Sequence, residues 1–377
     1  MAKLRAALNI TIFMVSFCIQ VPAFADAALV PLGSFWPDSS DGGGVAMGLS
    51  DDGTIATGRS VKQSTQDDVA FRWDKATLIE DLGYLPGQNP AHNISAGQVI
   101  SGDGLTIFGW SESDSERLRI TWTRASGMQL LDIGDNILKA ASYDGSIQAG
   151  QTNGALGEAF RRSGGVITQI GSLTTNQSRL KSSAAAVSND GSVVVGWSNS
   201  DVGAAIRKEA FRWTEPGGMV GLGFLPSEGF VEGVATAVSS SGDIVAGSVR
   251  VFEGGKSVSH GFIWQQGSGM QSFYASPDSG VLVEVTDISA DGKVIVGQLR
   301  LENGLGQGFR YSEAGGFQTV EQWLTDAGVD LQGWSIRGVS AVSADGKTLA
   351  GYIENATWYQ PYIAYVISDD VFVDGFE

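Results

Sequence analysis

Apolar positions along this chain come in short runs, each closed by a glycine and each set off by a small polar turn. The clearest copy begins at Ser183-Ala-Ala-Ala-Val-Ser188, where small and polar residues mix. It turns through Asn189-Asp190-Gly191 and continues as the apolar run Val193-Val-Val195 up to Gly196. Asp-Gly between two apolar runs is a strong hairpin signal, because glycine takes the positive φ that the turn demands. A loop of variable length follows, then Glu209-Ala-Phe-Arg-Trp-Thr214, in which Phe and Trp flank Arg with the period of two expected of a strand. A Gly217-Gly-Met219 turn leads into a fourth segment carrying Leu222-Gly223. The pattern predicts four short antiparallel strands.

The same phrase recurs. Its opening returns at Val45 to Gly58, Ile94 to Gly109, Lys139 to Gly150, Val234 to Gly247, Val285 to Gly297 and Val339 to Gly351. The turn glycines are Gly53, Gly104, Gly145, Gly191, Gly242, Gly292 and Gly346. The third-strand motif is Ala70-Phe-Arg-Trp73 in the first unit. Its variants are Ile120-Thr-Trp-Thr123, Ala159-Phe-Arg-Arg162, Gly261-Phe-Ile-Trp264 and Gly308-Phe-Arg-Tyr311. Recurrence at one position assigns Trp73, Trp122, Trp213 and Trp264 to packing within the units. Seven four-stranded units of about 50 residues imply a radial array. The ends agree, because the seventh unit stops at Tyr362-Ile-Ala-Tyr-Val366 without its fourth strand. A spare strand of that type, Leu29-Val-Pro-Leu-Gly-Ser-Phe35, opens the chain. The expected fold is therefore all-β: a single seven-bladed β-propeller of four-stranded antiparallel blades, closed by pairing of the N- and C-terminal strands. Closure removes the sheet edges that an open array would expose.

Residues 1–25 read as a separate object. Lys3 and Arg5 precede the mostly apolar stretch Leu8 to Val21, and Ala23-Phe24-Ala25 gives the small-x-small pattern of a cleaved signal peptide. The expected organisation is a signal peptide over 1–25, cleaved after Ala25, a propeller over 26–368 and a short tail over 369–377 that ends Asp374-Gly-Phe-Glu377. The expected location is extracellular or periplasmic. Cleavage removes Cys18, the only cysteine, and deepens the formal charge of −17 by two. Such acidity argues against nucleic acid and against anionic lipid surfaces. No later stretch is long and apolar enough for a membrane span, so no membrane insertion is expected, and the protein is expected to be a monomer. Glycine, at 52 residues, is about twice its usual share of roughly 7%, as many tight turns require.

The repeat phrase resembles the bacterial HAF-type extracellular repeat family. That family's unit carries an Asp-Gly turn, a valine-rich Val-Gly run, His-Ala-Phe-Arg-Trp, Gly-Met and Leu-Gly-Leu-Pro-Gly. The resemblance covers nearly the whole chain after residue 25. It is best at Asp68-Val-Ala-Phe-Arg-Trp73 and Glu209-Ala-Phe-Arg-Trp213. The family's histidine is replaced by Val69, Glu209 and Gln307, and its nearest counterpart is His260 in His260-Gly-Phe262. The resemblance implies an exported repeat protein with no defined reaction.

Chemistry-bearing patterns are few. The two histidines, His92 and His260, have no local signature of a zinc site or a catalytic triad. No HExxH, P-loop or Gly-x-Ser-x-Gly elbow occurs. The Asp-Gly segments offer too few oxygen ligands for a calcium loop. No catalytic residue, cofactor or metal is expected. Within a blade, the Asp-Gly and Gly-Gly-Met turns share one face, and the variable loops and inter-blade links share the other. Variable loops on a rigid scaffold are where binding usually resides. Just after each second-strand glycine stand Arg59, Trp110, Gln151, Trp197, Ser248, Gln298 and Tyr352, a candidate ligand-facing ring. The expected function is an exported non-catalytic binding or surface-interaction module for a glycan, peptide or protein ligand. The alternative is a hydrolase or lyase using carboxylates at the central channel.

Overall fold

The recurring Ser-x-Asp-Gly segment builds each first turn in the same way. In six units the Ser hydroxyl donates to the Asp carboxylate at 2.6–2.9 Å, as in Ser188 to Asp190. In all seven, the same Ser oxygen accepts the N–H of the second strand's opening residue at 2.9–3.1 Å, as from Val193 to Ser188. The turn glycines sit at φ between +70° and +77°, a region that L side chains rarely adopt. The fifth unit has Ser241 in place of Asp and keeps the turn. Six of these aspartates are thus structural acceptors.

The computed structural model describes residues 26–367 except 36–42, 65–66, 87–93, 113–115, 203–206, 230, 277–279 and 357. The signal-peptide reading and the tail from 368 onward lie outside the described residues. Seven four-stranded antiparallel sheets form the blades of a β-propeller. Their innermost strands are Gly44–Leu49, Ile94–Ile100, Ile137–Ala141, Ser182–Val187, Val231–Val238, Leu282–Ile288 and Ser335–Val342. Blade 7 is completed by the N-terminal strand Ala27–Pro31, which pairs with Tyr359–Val366 in a register that sets Val30 opposite Ile363. Two further bonds extend the seam: Leu32 N–H to the Pro361 carbonyl at 2.9 Å and Ile367 N–H to the Asp26 carbonyl at 2.6 Å. The ring closes as the spare strand predicts.

The core lies between successive blades. The central residue of the third strand is fully buried in every blade: Phe71, Ile120, Phe160, Phe211, Phe262, Phe309 and Tyr362. Trp73 and Trp122 are buried, and the half-buried Trp213 and Trp264 pack against core clusters. The Arg of the motif ties blades together. Arg161 donates to the carbonyl of turn residue Gly191 at 3.0 Å, and Arg212 to that of Gly242 at 2.9 Å. The recurrent second-strand glycines permit a close approach. A Cβ on Gly58, Gly109, Gly150, Gly196, Gly247, Gly297 or Gly351 would run into a carbonyl of the innermost strand.

One element departs from the all-strand expectation. Val320–Asp326, in the link from blade 6 to blade 7, is a short helix with Val320, Trp323 and Leu324 buried. Thr319 caps it by accepting the N–H of Gln322 at 3.1 Å.

Candidate functional site

Each innermost strand is antiparallel to the second strand of its blade, and in every blade that pairing is interrupted at one common place, with a second slip between Ile336 and Gly338 in blade 7. The register slips between Ala46 and Gly48, Gly97 and Val99, Leu138 and Ala140, Ala184 and Ala186, Ala235 and Ala237, Val285 and Asp287, and Val339 and Ala341. The extra residues are Met47, Gln98, Lys139, Ala185, Thr236, Thr286 and Ser340. A β-bulge re-aims a side chain, and here all seven bulge residues line the same central channel. The turn-side half of the channel encloses a cavity of about 240 Å³.

Below the bulge ring, the second residues of the Ser-x-Asp-Gly turns make a second circle. Asp51 N–H donates to Gly102 O at 2.8 Å, and Asp103 N–H to Tyr143 O at 2.9 Å. The chain of bonds continues through Tyr143, Asn189, Ser240, Ala290 and Ala344, and Ala344 N–H returns to Asp51 O at 2.8 Å. This closed ring of backbone hydrogen bonds frames the turn-side mouth. Asp51, Tyr143 and Asn189 also line the cavity.

Three ionisable side chains of the cavity are perturbed. Asp287 occupies a position that is Ala140, Ala186, Ala237 and Ala341 in other blades. It retains partial contact with the lumen yet is enclosed by protein, and this burial pushes its carboxyl up to about 7, against the N–H bonds from Val342 and Ile288. Its Oδ2 accepts the Val342 N–H of blade 7 at 2.9 Å, and its Oδ1 accepts the Ile288 N–H at 2.8 Å. Asp51 is raised by burial, partly opposed by the Asn189 amide, which donates to Oδ2 at 2.7 Å. Lys139 is open to lumen solvent but surrounded by protein, and burial lowers its ammonium pKa. Its Nζ donates to Ser183 Oγ at 2.8 Å. By contrast, the solvated turn carboxylate of Asp144 is held below its ordinary value by the backbone and hydroxyl of Ser146.

The ring expected at Arg59, Trp110, Gln151, Trp197, Ser248, Gln298 and Tyr352 lies on the second strands and does not line the channel cavity. Arg59 pairs with Asp68. The guanidinium of Arg117 lies 4.3 Å from the centre of the Trp110 ring, and Lys208 Nζ lies 5.0 Å from that of Trp197. Gln151 folds toward Gly157 of its own loop. Ser248 accepts the Val285 N–H of the next blade at 3.0 Å. Gln298 donates to Glu284 at 2.6 Å, and Tyr352 lies against Gly338. His260 sits on the long hairpin of blade 5, with Nδ1 2.9 Å from Ser272 Oγ and Nε2 3.4 Å from Glu253. His92 lies outside the described residues. Among the described residues, no group of three or more His, Cys, Asp or Glu could hold a metal ion, and no helix is long and apolar enough to cross a membrane.

The sequence reading missed the bulge ring. A signal for it exists: the seven bulge residues stand six positions before each turn glycine, and Lys139 is the one basic residue in that column.

No family model matches this sequence, and no curated protein matches it. Among solved structures, a prolyl endopeptidase superposes with a TM-score of 0.57 at 10% identity, over 88% of this chain and 51% of that one. TolB from Acinetobacter baumannii gives a TM-score of 0.47 at 14% identity, over 72% of this chain and 64% of that one. The hydrazine synthase of Kuenenia stuttgartiensis gives 0.46 at 12% identity, over 81% of this chain and 90% of that one. The chain spans about half the length of the prolyl endopeptidase and just under two thirds of that TolB. At 10% identity the likeness to the prolyl endopeptidase is one of fold alone; the seven four-stranded sheets of this chain make it a seven-bladed β-propeller.

Proposed function

We propose that this chain is an exported, non-catalytic propeller whose loop face binds a polypeptide. The observation that carries the reading is an arc of exposed apolar side chains. Leu156, Val202, Phe252, Leu305 and Tyr359 stand at or beside the connections between second and third strands in five successive blades, each 39–54% exposed. Those connections share one face, and large apolar groups displayed together on a surface mark interaction sites. They also differ in length, from the tight Gly254–Gly255 hairpin to the longer loop 152–158, as recognition on a constant scaffold requires. A sugar-stacking surface is less well served, since one face of Trp110 and one of Trp197 is covered by a cation. The hydrolase alternative is not favoured, because Asp287 and Asp51 already accept hydrogen bonds from the wall. The HAF-type resemblance and the leader-like residues 1–25 support export.

Panning a random-peptide phage library against the purified protein tests this. Selected peptides should lose binding to a Phe252→Glu, Tyr359→Glu variant and keep it for Leu105→Glu on the turn face. The reverse pattern, or hydrolysis of the bound peptides, would overturn the proposal.

A further inference from the structure

The channel itself offers a second site, independent of the loop face. We propose that it binds a small monocarboxylate, with Lys139 as counter-ion and the neighbouring bulge residues as hydrogen-bonding cradle.

Lys139 reaches the lumen because the bulge between Leu138 and Ala140 turns it out of the sheet. An ammonium carries three donors. One is used on Ser183, and Lys139 makes no ion pair with a described carboxylate. Its other two donors face the lumen, where the surrounding protein leaves them to solvent or to an anion that enters. Next around the ring comes Ala185, whose methyl leaves room beside Lys139. Beyond it stands Thr236, whose enclosed hydroxyl has no hydrogen-bond partner among the described residues. On the other side of Lys139 is Gln98, open to the lumen. An ammonium with two donors left over, an unsatisfied hydroxyl and a free amide thus belong to side chains at equivalent bulge positions lining one channel. Buried polar groups are normally satisfied, and a carboxylate oxygen accepts from all three.

Charge and volume narrow the class. One cation balances one negative charge, and Asp51 and Asp287 on the same cavity would repel a second. That disfavours sulfate and phosphate dianions. A cavity of about 240 Å³ corresponds to roughly eight waters at about 30 Å³ each, room for a short hydroxy acid together with several waters. The chain's overall charge of −17 provides no general attraction for anions, so retention of one would report this local arrangement.

Isothermal titration of the purified protein with acetate, glycolate and lactate, and with sulfate and phosphate, decides the matter. At least one carboxylate should bind one-to-one. Lys139→Met should weaken it tenfold or more, as loss of a hydrogen bond to a charged group implies. Thr236→Val should weaken it severalfold, and Lys208→Met, above Trp197, should leave it unchanged. Should Lys139→Met fail to fold, protection of Lys139 in the native protein from reductive methylation by lactate serves instead. No carboxylate binding at about 10 mM, equal binding by Lys139→Met, tighter binding of sulfate or phosphate, or no protection of Lys139 would each overturn the proposal.

Discussion

Replacing Asp287 by alanine should remove a pH dependence from the stability of this propeller. The substitution restores the residue found at this position in blades 3, 4, 5 and 7. In the folded protein the carboxyl titrates near 7, against an ordinary value of 3.8, because burial disfavours its charge. The folded state therefore holds a proton that the unfolded chain has released, and stability falls as pH rises between those values. The stabilisation is fully present below about 3.8, is lost progressively as pH approaches 7, and the curve is flat above. Three units at about 1.36 kcal/mol each give roughly 4 kcal/mol. Partial contact with lumen solvent reduces this to about 2–3 kcal/mol, spread over the interval between the two values.

The alanine variant gives up both acceptor oxygens, and with them the bonds from the Val342 and Ile288 N–H groups, at a cost of about 1–2 kcal/mol. At pH 5, where the native carboxyl is neutral and still accepts those bonds, the variant should be the less stable protein. At pH 8 it should be the more stable one. Urea unfolding at both pH values measures the difference, and the other titrating groups cancel in the comparison. Parallel pH profiles for the two proteins would refute the assignment of the burden to Asp287.

Three substitutions elsewhere test the blade architecture. Leu78 adopts φ +66° at the turn position that is Gly127, Gly218, Gly269 and Gly316 in other blades, and its side chain is 65% exposed. Leu78→Gly should therefore stabilise by about 0.5–1 kcal/mol, the left-handed penalty less the entropy gained by the unfolded chain, seen as a small rise in Tm. Gly196→Ala would drive its Cβ into the Ser183 carbonyl, and thermal unfolding should report a loss of about 2–3 kcal/mol. Leu32→Ala removes a buried contact beside the closing strand. It should cost about 2–4 kcal/mol and speed hydrogen exchange first in Ala27–Pro31 and Tyr359–Val366.

The parts of the fold legible in the sequence were those dictated by local backbone chemistry. Seven hairpin turns, six Asp-Gly and one Ser-Gly, need seven left-handed glycines, so counting them counts the blades. The spare strand at Leu29 could be matched to the unfinished unit at Ile363 because both carry the apolar spacing of a strand. The bulges were not legible, since a bulge is a relation between two paired strands and neither strand carries it alone. The helix Val320–Asp326 had signals in Thr319, Gln322 and the apolar spacing of Val320, Trp323 and Leu324. Seven residues are too few for that spacing to stand apart from a buried strand. The ring from Arg59 to Tyr352 varies between units, and several of its side chains meet a local partner that the sequence does not announce: Asp68 for Arg59, Arg117 for Trp110 and the Val285 N–H for Ser248.

A repeat with seven copies makes departures from the common residue informative. Where the scaffold needs a residue, every blade supplies it or a near equivalent. The turn serine is present in all seven, and the second-strand glycine likewise. At the bulge the scaffold needs only an extra residue, and Met47, Gln98, Lys139, Ala185, Thr236, Thr286 and Ser340 all satisfy it. Nothing in the fold requires an ammonium in the lumen at blade 3 or a half-buried acid at blade 6. Each raises the free energy of the folded state unless something compensates it. Asp287 is held to the wall by two backbone N–H groups and relieves the rest of its burial by keeping its proton. Lys139 has one neutral hydroxyl, and its other two donors are left to what fills the channel, water or the proposed carboxylate.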